Sequence, residues 1–296
     1  MIHVSQHASQ FSVLDAIHLD YATRRSSDHR KCGGDFVAYD IGTDCLSVAI
    51  GDASAKEARG LELAEILRVS FHASAVTASP RQMLHAMSRA FIEQACLSTP
   101  SPTFAAVLVI TIDLVRGTLI YAAAGIEGGL VFAARTRHRH LDSTGPLIGI
   151  EDEPEYQEET IPFWPGDILL AYTDGVTEAL AARDARPFGS LGLVRLMRDE
   201  RLSAGLTSAE LYETIDRYTG HIYHDDATLA VVTASTATAI VPQLHAIKQM
   251  QLSSPRADDR SLHEQWPTAY CLASVLTKDS APRRRPARNR AALPQS

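Results

Sequence analysis

The sequence predicts an α+β fold in which antiparallel sheets pack against each other beneath covering helices. Nine short segments rich in β-branched or alternating apolar residues are punctuated by Gly and Asp, and several are separated by gaps of hairpin size. Four helical segments carry caps or one-sided apolar spacing and fall into two pairs. With 296 residues, 45% hydrophobic and 21% charged, the chain can bury a sizeable core in one large domain or two small ones.

In chain order, strands are expected at 12–21, 36–41, 45–50, 104–113, 118–124, 129–134, 156–161, 167–173 and 227–233. DIGTD at 40–44 and DLVRGT at 113–118 supply turn chemistry for two hairpins. The first helix spans about 57–73. Ser79 can cap a second with Pro80 at its first position, and Met83, Leu84, Met87, Ala90, Phe91 and Ala95 recur on one face of it. That stripe reads as core packing. A third helix covers 190–200, and Thr207 with Glu210 has capping-box spacing ahead of Leu211, Ile215 and Tyr218. Hairpins plus two helix pairs imply packed sheets with helices outside.

Several classes are excluded. The longest apolar stretch, FAAVLVITIDLV at 104–115, is shorter than the roughly 18 to 20 residues of a bilayer crossing. MIHVSQHASQFSVLD lacks the pattern of a secretory signal, so a cytoplasmic location is expected. Cys32, Cys45, Cys96 and Cys271 form no close pair, which argues against a disulfide framework and a thiolate zinc site. Residues 236–296 hold nine basic against four acidic residues, so this tail carries +5 and the body −12 of the net −7. The boundary therefore falls near Ser235, between a domain at 1–235 and a basic, Pro/Arg-containing extension expected to be largely disordered. A short helix at 244–252 is expected within that extension. A tail bearing APRRRPARNR could touch nucleic acid or acidic partners, but solubilising charge is the simpler reading. RTRHRH at 135–140 reads as a solvated hairpin tip.

The acids carry the chemistry. Asp35 in CGGDF opens a strand, Asp52 in IGDAS closes the next, Asp174 in LLAYTDGVTEA closes another, and Asp225 with Asp226 in YHDDATLAVV precedes the last. One Asp at a strand end is commonly a turn former. Four strand ends, each backed by an apolar run that fixes its position, favour a ligand set instead. Oxygen donors without convergent Cys or His suit hard cations such as Mg²⁺ or Mn²⁺. A pair of such cations is the usual apparatus for hydrolysing a phosphate ester, because it activates water and needs no Cys or Ser nucleophile. Phosphate-loop spacing is missing from GDASAK, and CGGDF lacks the Glu that the GGDEF signature of cyclic-di-GMP synthesis places after Asp35.

The succession GGDF, GD with a short Lys-bearing loop, AAAG, TGPLIG, PGDILLAYTDGVTEA, PFG and DDATL resembles the PPM (type 2C-like) family of metal-dependent serine/threonine protein phosphatases, in its bacterial stage II sporulation protein E branch. The match covers about 10–235. It implies a four-layer α-β-β-α sandwich of two antiparallel sheets flanked by helices, with two Mn²⁺ or Mg²⁺ ions at one end. It also implies that Asp52 bridges the ions, that the Ala53 carbonyl completes a shell, that Asp174 and Asp225 hold one ion, and that Asp35 contributes directly or through water. Asp226 is expected behind these ligands, and Gly34, Gly51 and Gly175 are expected to admit close backbone approach. No general acid is identifiable, since His221 and His224 read as surface or helix-end residues.

Two departures stand out against the resemblance. The loop reads GDASAKEARG, with Ala55 and Glu57 where relatives carry glycines, and AGIEGG places Ile126 and Glu127 where they carry His and Pro. Both leave the acids intact but alter the surroundings of the site. A metal-binding, catalytically weak module that holds a partner is therefore the alternative, and the complete acid set argues for catalysis. The branch implies a phosphorylated anti-sigma-factor antagonist as substrate. Membrane or nucleic-acid partners are not expected, and a homodimer is compatible with this reading. The pattern starts about a dozen residues from Met1, so control is expected from a partner, the tail or expression rather than from an N-terminal sensor.

Overall fold

The computed structural model describes residues 17–28, 32–42, 44–55, 57–75, 78–95, 103–126, 128–133, 138–199 and 206–234. Among the described residues, ten strands form two five-stranded antiparallel sheets. One sheet has the order β1 (Ile17–Arg24), β10 (Ala227–Ala234), β9 (Ile168–Tyr172), β6 (Gly129–Phe132), β7 (His138–Leu141). The other runs β2 (Asp35–Ile41), β3 (Cys45–Ala53), β4 (Ala105–Asp113), β5 (Thr118–Ala124), β8 (Glu159–Pro162). Helices α1 (Glu57–Ser74) and α2 (Pro80–Ala95) cover the second sheet, and α3 (Asp174–Thr177), α4 (Gly189–Asp199) and α5 (Ser208–Thr219) cover the first.

Side-chain alternation along each strand divides the interior into three layers. Leu46, Val48 and Ile50 of β3 point into the gap between the sheets, where they meet Leu169 and Ala171 of β9 and Ala230 and Val232 of β10. Phe36, Ala38, Ala49, Val107 and Val109 point the other way, onto Leu63, Leu67, Phe71, Met83, Met87 and Phe91 of α1 and α2. Leu170, Leu229 and Val231 meet Leu193, Met197, Leu211, Tyr212 and Ile215 of α4 and α5. Central strands are thus buried on both faces, which is why β4 reads as a continuous apolar run. Each such fully buried side chain contributes on the order of 1.5–3 kcal/mol.

The Thr207–Glu210 capping box forms as the spacing predicts, and α5 ends on Gly220 in the left-handed region. At the start of α2 the Ser79 N–H donates to Gln82 Oε1 and its carbonyl accepts from the Met83 N–H.

Several boundaries differ from the sequence reading. β1 runs on to Arg24, because it pairs with β10 along its whole length; 12–16 lie outside the described residues. The segment expected at 156–161 is a strand only from Glu159, since Tyr156 is instead buried beneath α2, edge-on to His85. RTRHRH is not simply a hairpin tip: His138–Leu141 pairs with β6, while 134–137 lie outside the described residues. The basic extension from 236, with its expected helix at 244–252, also lies outside them, as do Cys96 and Cys271. Cys32 is buried and Cys45 half-buried, both as free thiols. None of the described helices is long and apolar enough to cross a membrane.

Candidate metal centre

Alternation also explains what gathers at one end of the gap. Asp52 shares the face of Val48 and Ile50, and Asp35 shares the face of Val37 and Tyr39, which pack into the same core. The two acids sit directly opposite each other across β2 and β3. Facing like charges in this way is destabilising unless something compensates. From the other sheet, Thr173 continues the face of Leu169 and Ala171, and Thr228 and Asp226 continue that of Ala230 and Val232.

Those hydroxyls receive Asp35. Thr173 Oγ1 donates to Asp35 Oδ2 at 2.9 Å and Thr228 Oγ1 donates to the same oxygen at 2.6 Å. The Thr228 N–H donates to Thr173 Oγ1, and the Thr23 and Thr228 hydroxyls lie 2.9 Å apart. With its proton given to Asp35, Thr228 must accept from Thr23, so the chain of donors has one direction. Burial and the facing Asp52 nevertheless hold the Asp35 carboxyl well above the usual carboxylate range.

Asp52 is pushed up to about 7, by burial first and then by Asp174, Asp225 and Asp226. Every one of these causes acts in the same direction, so the cluster calls for positive charge. Glu178 is raised as well, through burial and then Asp174 and Asp225.

Asp174 departs from the expected strand end. β9 stops at Tyr172, Thr173 is the N-cap in extended conformation, and Asp174 is the first residue of the short helix α3. Thr173 makes no side-chain cap, because its hydroxyl is engaged with Asp35 and the Thr228 N–H. Asp174 and Asp225 are exposed at the mouth of the gap, whereas Asp226 is buried.

Asp226 acts as a clamp. Its Oδ1 accepts from the Ser26 N–H at 2.8 Å and its Oδ2 from the Gly33 N–H at 2.7 Å, which fixes the segment leading into Asp35. Both oxygens are occupied by backbone donors, as a residue behind the ligands would require. A second brace lies under the same loop. Arg24 pairs with Asp216 through two nitrogens, Tyr223 donates to Asp216 at 2.7 Å, and Tyr212 donates to the carbonyl of Ala227, next to Asp226. The Arg24 guanidinium also lies 4.3 Å from the centre of the Tyr212 ring.

Two of the three singled-out glycines pack at the centre. A Cβ on Gly34 would collide with Asp52 Oδ1 and the Ala53 carbonyl oxygen, and one on Gly175 would collide with the Asp226 carbonyl. Gly51 does not belong with them: its Cβ would meet Ala106 O of β4, so it serves strand packing. His221 and His224 are exposed, and His221 follows the α5 C-cap with a φ of 63°. Lys56 and Glu127 lie outside the described residues, as does the Glu57 side chain. Ile126 is buried.

The candidate donors are carboxylates and one backbone carbonyl, all oxygen, a set whose chemistry suits a hard cation. Among the described residues, no three His, Cys, Asp or Glu side chains lie close enough together to hold a metal ion by themselves. The cluster is open. Cations that keep several waters fit such a site, as Mg²⁺ characteristically does.

Sequence reading missed Thr173, Thr228, Ser26, Gly33 and the Arg24–Asp216 brace. The two threonines sit inside YTDG and DDATL, on the inward face of their strands, so strand parity was the signal available for them.

A two-sheet sandwich under helices on both sides, with acids gathered at one end of the gap, is the architecture of PP2C-type phosphatase domains. The chain belongs to the stage II sporulation protein E (SpoIIE) family, whose model matches residues 42–235. It is 32% identical over 135 residues to Protein IcfG of Synechocystis, covering 44% of this chain and 20% of that protein. It is 21% identical over 208 residues to the phosphoserine phosphatase RsbU of Bacillus subtilis, covering 69% and 60%. The chain therefore spans a fifth and three fifths of these two relatives' lengths. Similar solved structures include the SiaA PP2C domain of Pseudomonas aeruginosa, with a TM-score of 0.60, 20% identity and coverage of 73% of this chain and 85% of that one. The SpoIIE phosphatase domain with a regulatory fragment from Bacillus subtilis gives 0.57 at 18% identity, covering 75% and 63%. RsbX in complex with magnesium gives 0.56 at 14% identity, covering 74% and 96%.

Proposed function

We propose that the chain removes phosphate from phosphoserine or phosphothreonine on a regulatory protein, of the anti-sigma-factor antagonist kind, within a cytoplasmic partner-switching circuit. Two Mn²⁺ or Mg²⁺ ions would be held by Asp35, Asp52, the Ala53 carbonyl, Asp174 and Asp225, with Asp226 orienting the loop behind them. The observation that carries the reading is the delivery of these acids from both sheets to one end of the gap, where burial first and then the neighbouring acids raise Asp52 to about 7. Similarity to a phosphoserine phosphatase and to a magnesium-bound relative supports the substrate and the cation.

When bound, the ions supply Lewis-acid charge that acidifies water and offsets the phosphoryl oxygens. The remaining work belongs to the chain. Thr173 and Thr228 fix Asp35 through Oδ2, which leaves Oδ1 for a cation or its water. Close packing of Gly34 holds the Asp52 carboxylate and the Ala53 carbonyl side by side. The clamp from Asp226 to Ser26 and Gly33 ties β10 to the start of β2, so acids from the two sheets keep their spacing. Preorganised donors of this kind lower the barrier because they need not rearrange as charge develops.

The test is Mn²⁺-dependent phosphate release by the wild type, Asp52→Asn and Asp174→Asn, from 4-nitrophenyl phosphate and from a phosphoserine-bearing antagonist protein. The reading expects hydrolysis by the wild type and losses of at least a hundredfold in both variants. Equal rates in all three would sink it, and cation binding without turnover would favour the holding module.

A further inference from the structure

Beside Asp174 the structure contains a cavity of about 250 Å³ that the hydrolytic reading leaves unused. Ala106, Ile126 and Tyr172 line it, and Asp174, Thr177 and Ser190 complete its wall. Ile126 and Tyr172 are buried, while the Asp174 end is open. The volume corresponds to about eight waters of liquid, ample for one branched side chain.

Its walls are fixed. The Gly125 N–H donates to the Gly145 carbonyl at 3.0 Å and to Ser143 Oγ at 3.0 Å, and the Tyr172 N–H donates to the Gly128 carbonyl at 2.7 Å. Ile126 lies against Gly128, whose Cβ would come within 2.9 Å of Ile126 Cδ1. Thr177 donates to the Asp174 carbonyl at 3.1 Å, so the hydroxyl side of the cavity is tied to the acid itself. A preformed cleft with an apolar floor and a few polar groups at its edge is the common form of a binding subsite.

We propose that this cavity is a specificity subsite for a branched aliphatic side chain next to the phosphorylated residue of the substrate. The inference rests on the phosphatase reading, because Asp174 is shared between the cavity and the acid cluster. A phosphorylated residue engaged at the acids sets its chain neighbour beside Asp174, at the mouth of the cavity. Ala106, Ile126 and Tyr172 offer apolar contact, and Thr177 and Ser190 add uncharged hydroxyls. Acidic flanking residues are disfavoured by Asp174, Asp225 and Glu178.

The experiment compares Mn²⁺-loaded full chain on phosphoserine peptides carrying Leu, Gly or Asp at each flanking position, with 4-nitrophenyl phosphate as an ester that has no flank. At one flank, kcat/KM is expected to be about tenfold higher for Leu than for Gly, as burial of an aliphatic side chain allows, and lower still for Asp. Ser190→Trp, which fills the cavity from its wall, should bring the Leu-to-Gly ratio to about one. Ile126→Ala, which enlarges it, should shift the preference from Leu toward Phe and serves where the tryptophan variant does not fold. Leu191→Ser, on the exposed side of α4, should keep both the rates and the ratio. Hydrolysis of 4-nitrophenyl phosphate with no flank preference overturns the subsite and leaves the phosphatase reading standing. So does a Leu preference unchanged in Ser190→Trp and Ile126→Ala. No hydrolysis of any substrate overturns both.

Discussion

Replacing Gly34 with Ala adds one methyl group at the point where the acid centre is most tightly built. That Cβ would lie inside the 3.0 Å that real Cβ contacts keep, against both Asp52 Oδ1 and the Ala53 carbonyl oxygen. The carboxylate can rotate aside, but the carbonyl cannot do so freely. Ala53 is paired with Ala105 in the sheet, and its N–H donates to the Gly34 carbonyl at 3.0 Å. Relief therefore requires β3 and the Gly33–Asp35 segment to part by roughly an ångström, at an overpacking cost of about 1–3 kcal/mol. A displacement of that size at a reacting centre lowers turnover by about a hundredfold. Urea denaturation and Mn²⁺-dependent hydrolysis of 4-nitrophenyl phosphate measure the two effects together. A Gly34→Ala variant that keeps turnover within twofold of wild type would refute the claim that Gly34 sets the spacing of Asp52 and the Ala53 carbonyl.

Other predictions probe the supports of the site. Thr228→Val removes the 2.6 Å donor to Asp35 and should cost about 1.5–3 kcal/mol in urea denaturation. The same change should weaken Mn²⁺ binding about 10- to 100-fold by calorimetry, and an unchanged affinity would count against the positioning role. Asp52 has a folded pKa near 7, above its ordinary value of 3.8, so without metal its contribution is fully present below about pH 4 and is lost as pH rises through 7. That amounts to at most about 4 kcal/mol, so the metal-free melting temperature should fall between about pH 4 and 7, and the fall should shrink in Asp52→Asn. With Mn²⁺ present the slope should reverse, because carboxylate ligands must be deprotonated to bind. Asp216→Asn weakens the paired, part-buried contact to Arg24 and should destabilise the fold by about 2 kcal/mol, read as a lower urea midpoint at unchanged slope.

Local chemistry made much of this fold legible. Thr207 and Glu210 announce their capping box by spacing, and the Met83–Phe91 stripe announces its buried face. Strand parity makes Asp35 and Asp52 readable as neighbours once β2 and β3 are paired, because Asp35 precedes Val37 and Tyr39, and Asp52 follows Val48 and Ile50, on the inter-sheet face. Long-range partners were less accessible. Asp226 reaches Ser26 and Gly33 across some 200 residues of chain, and nothing local to DDATL specifies that the donors are backbone N–H groups. Asp174 misled for a different reason. TDGVT continues an apolar strand, yet the engagement of Thr173 with Asp35 ends the strand and starts a single helical turn. β7 was hidden because HRH at 138–140 carries the charge of a loop, and only its pairing with Leu130 to Phe132 makes it a strand.

Calorimetric titration of Mn²⁺ into the metal-free protein, beside Asp52→Asn, measures the central claim most directly. The account predicts two ions per chain in the wild type and loss of the tighter of them in the variant, since Asp52 lies where Asp174, Asp225 and Asp226 all bear on it. Identical stoichiometry and affinity in the two proteins would contradict it.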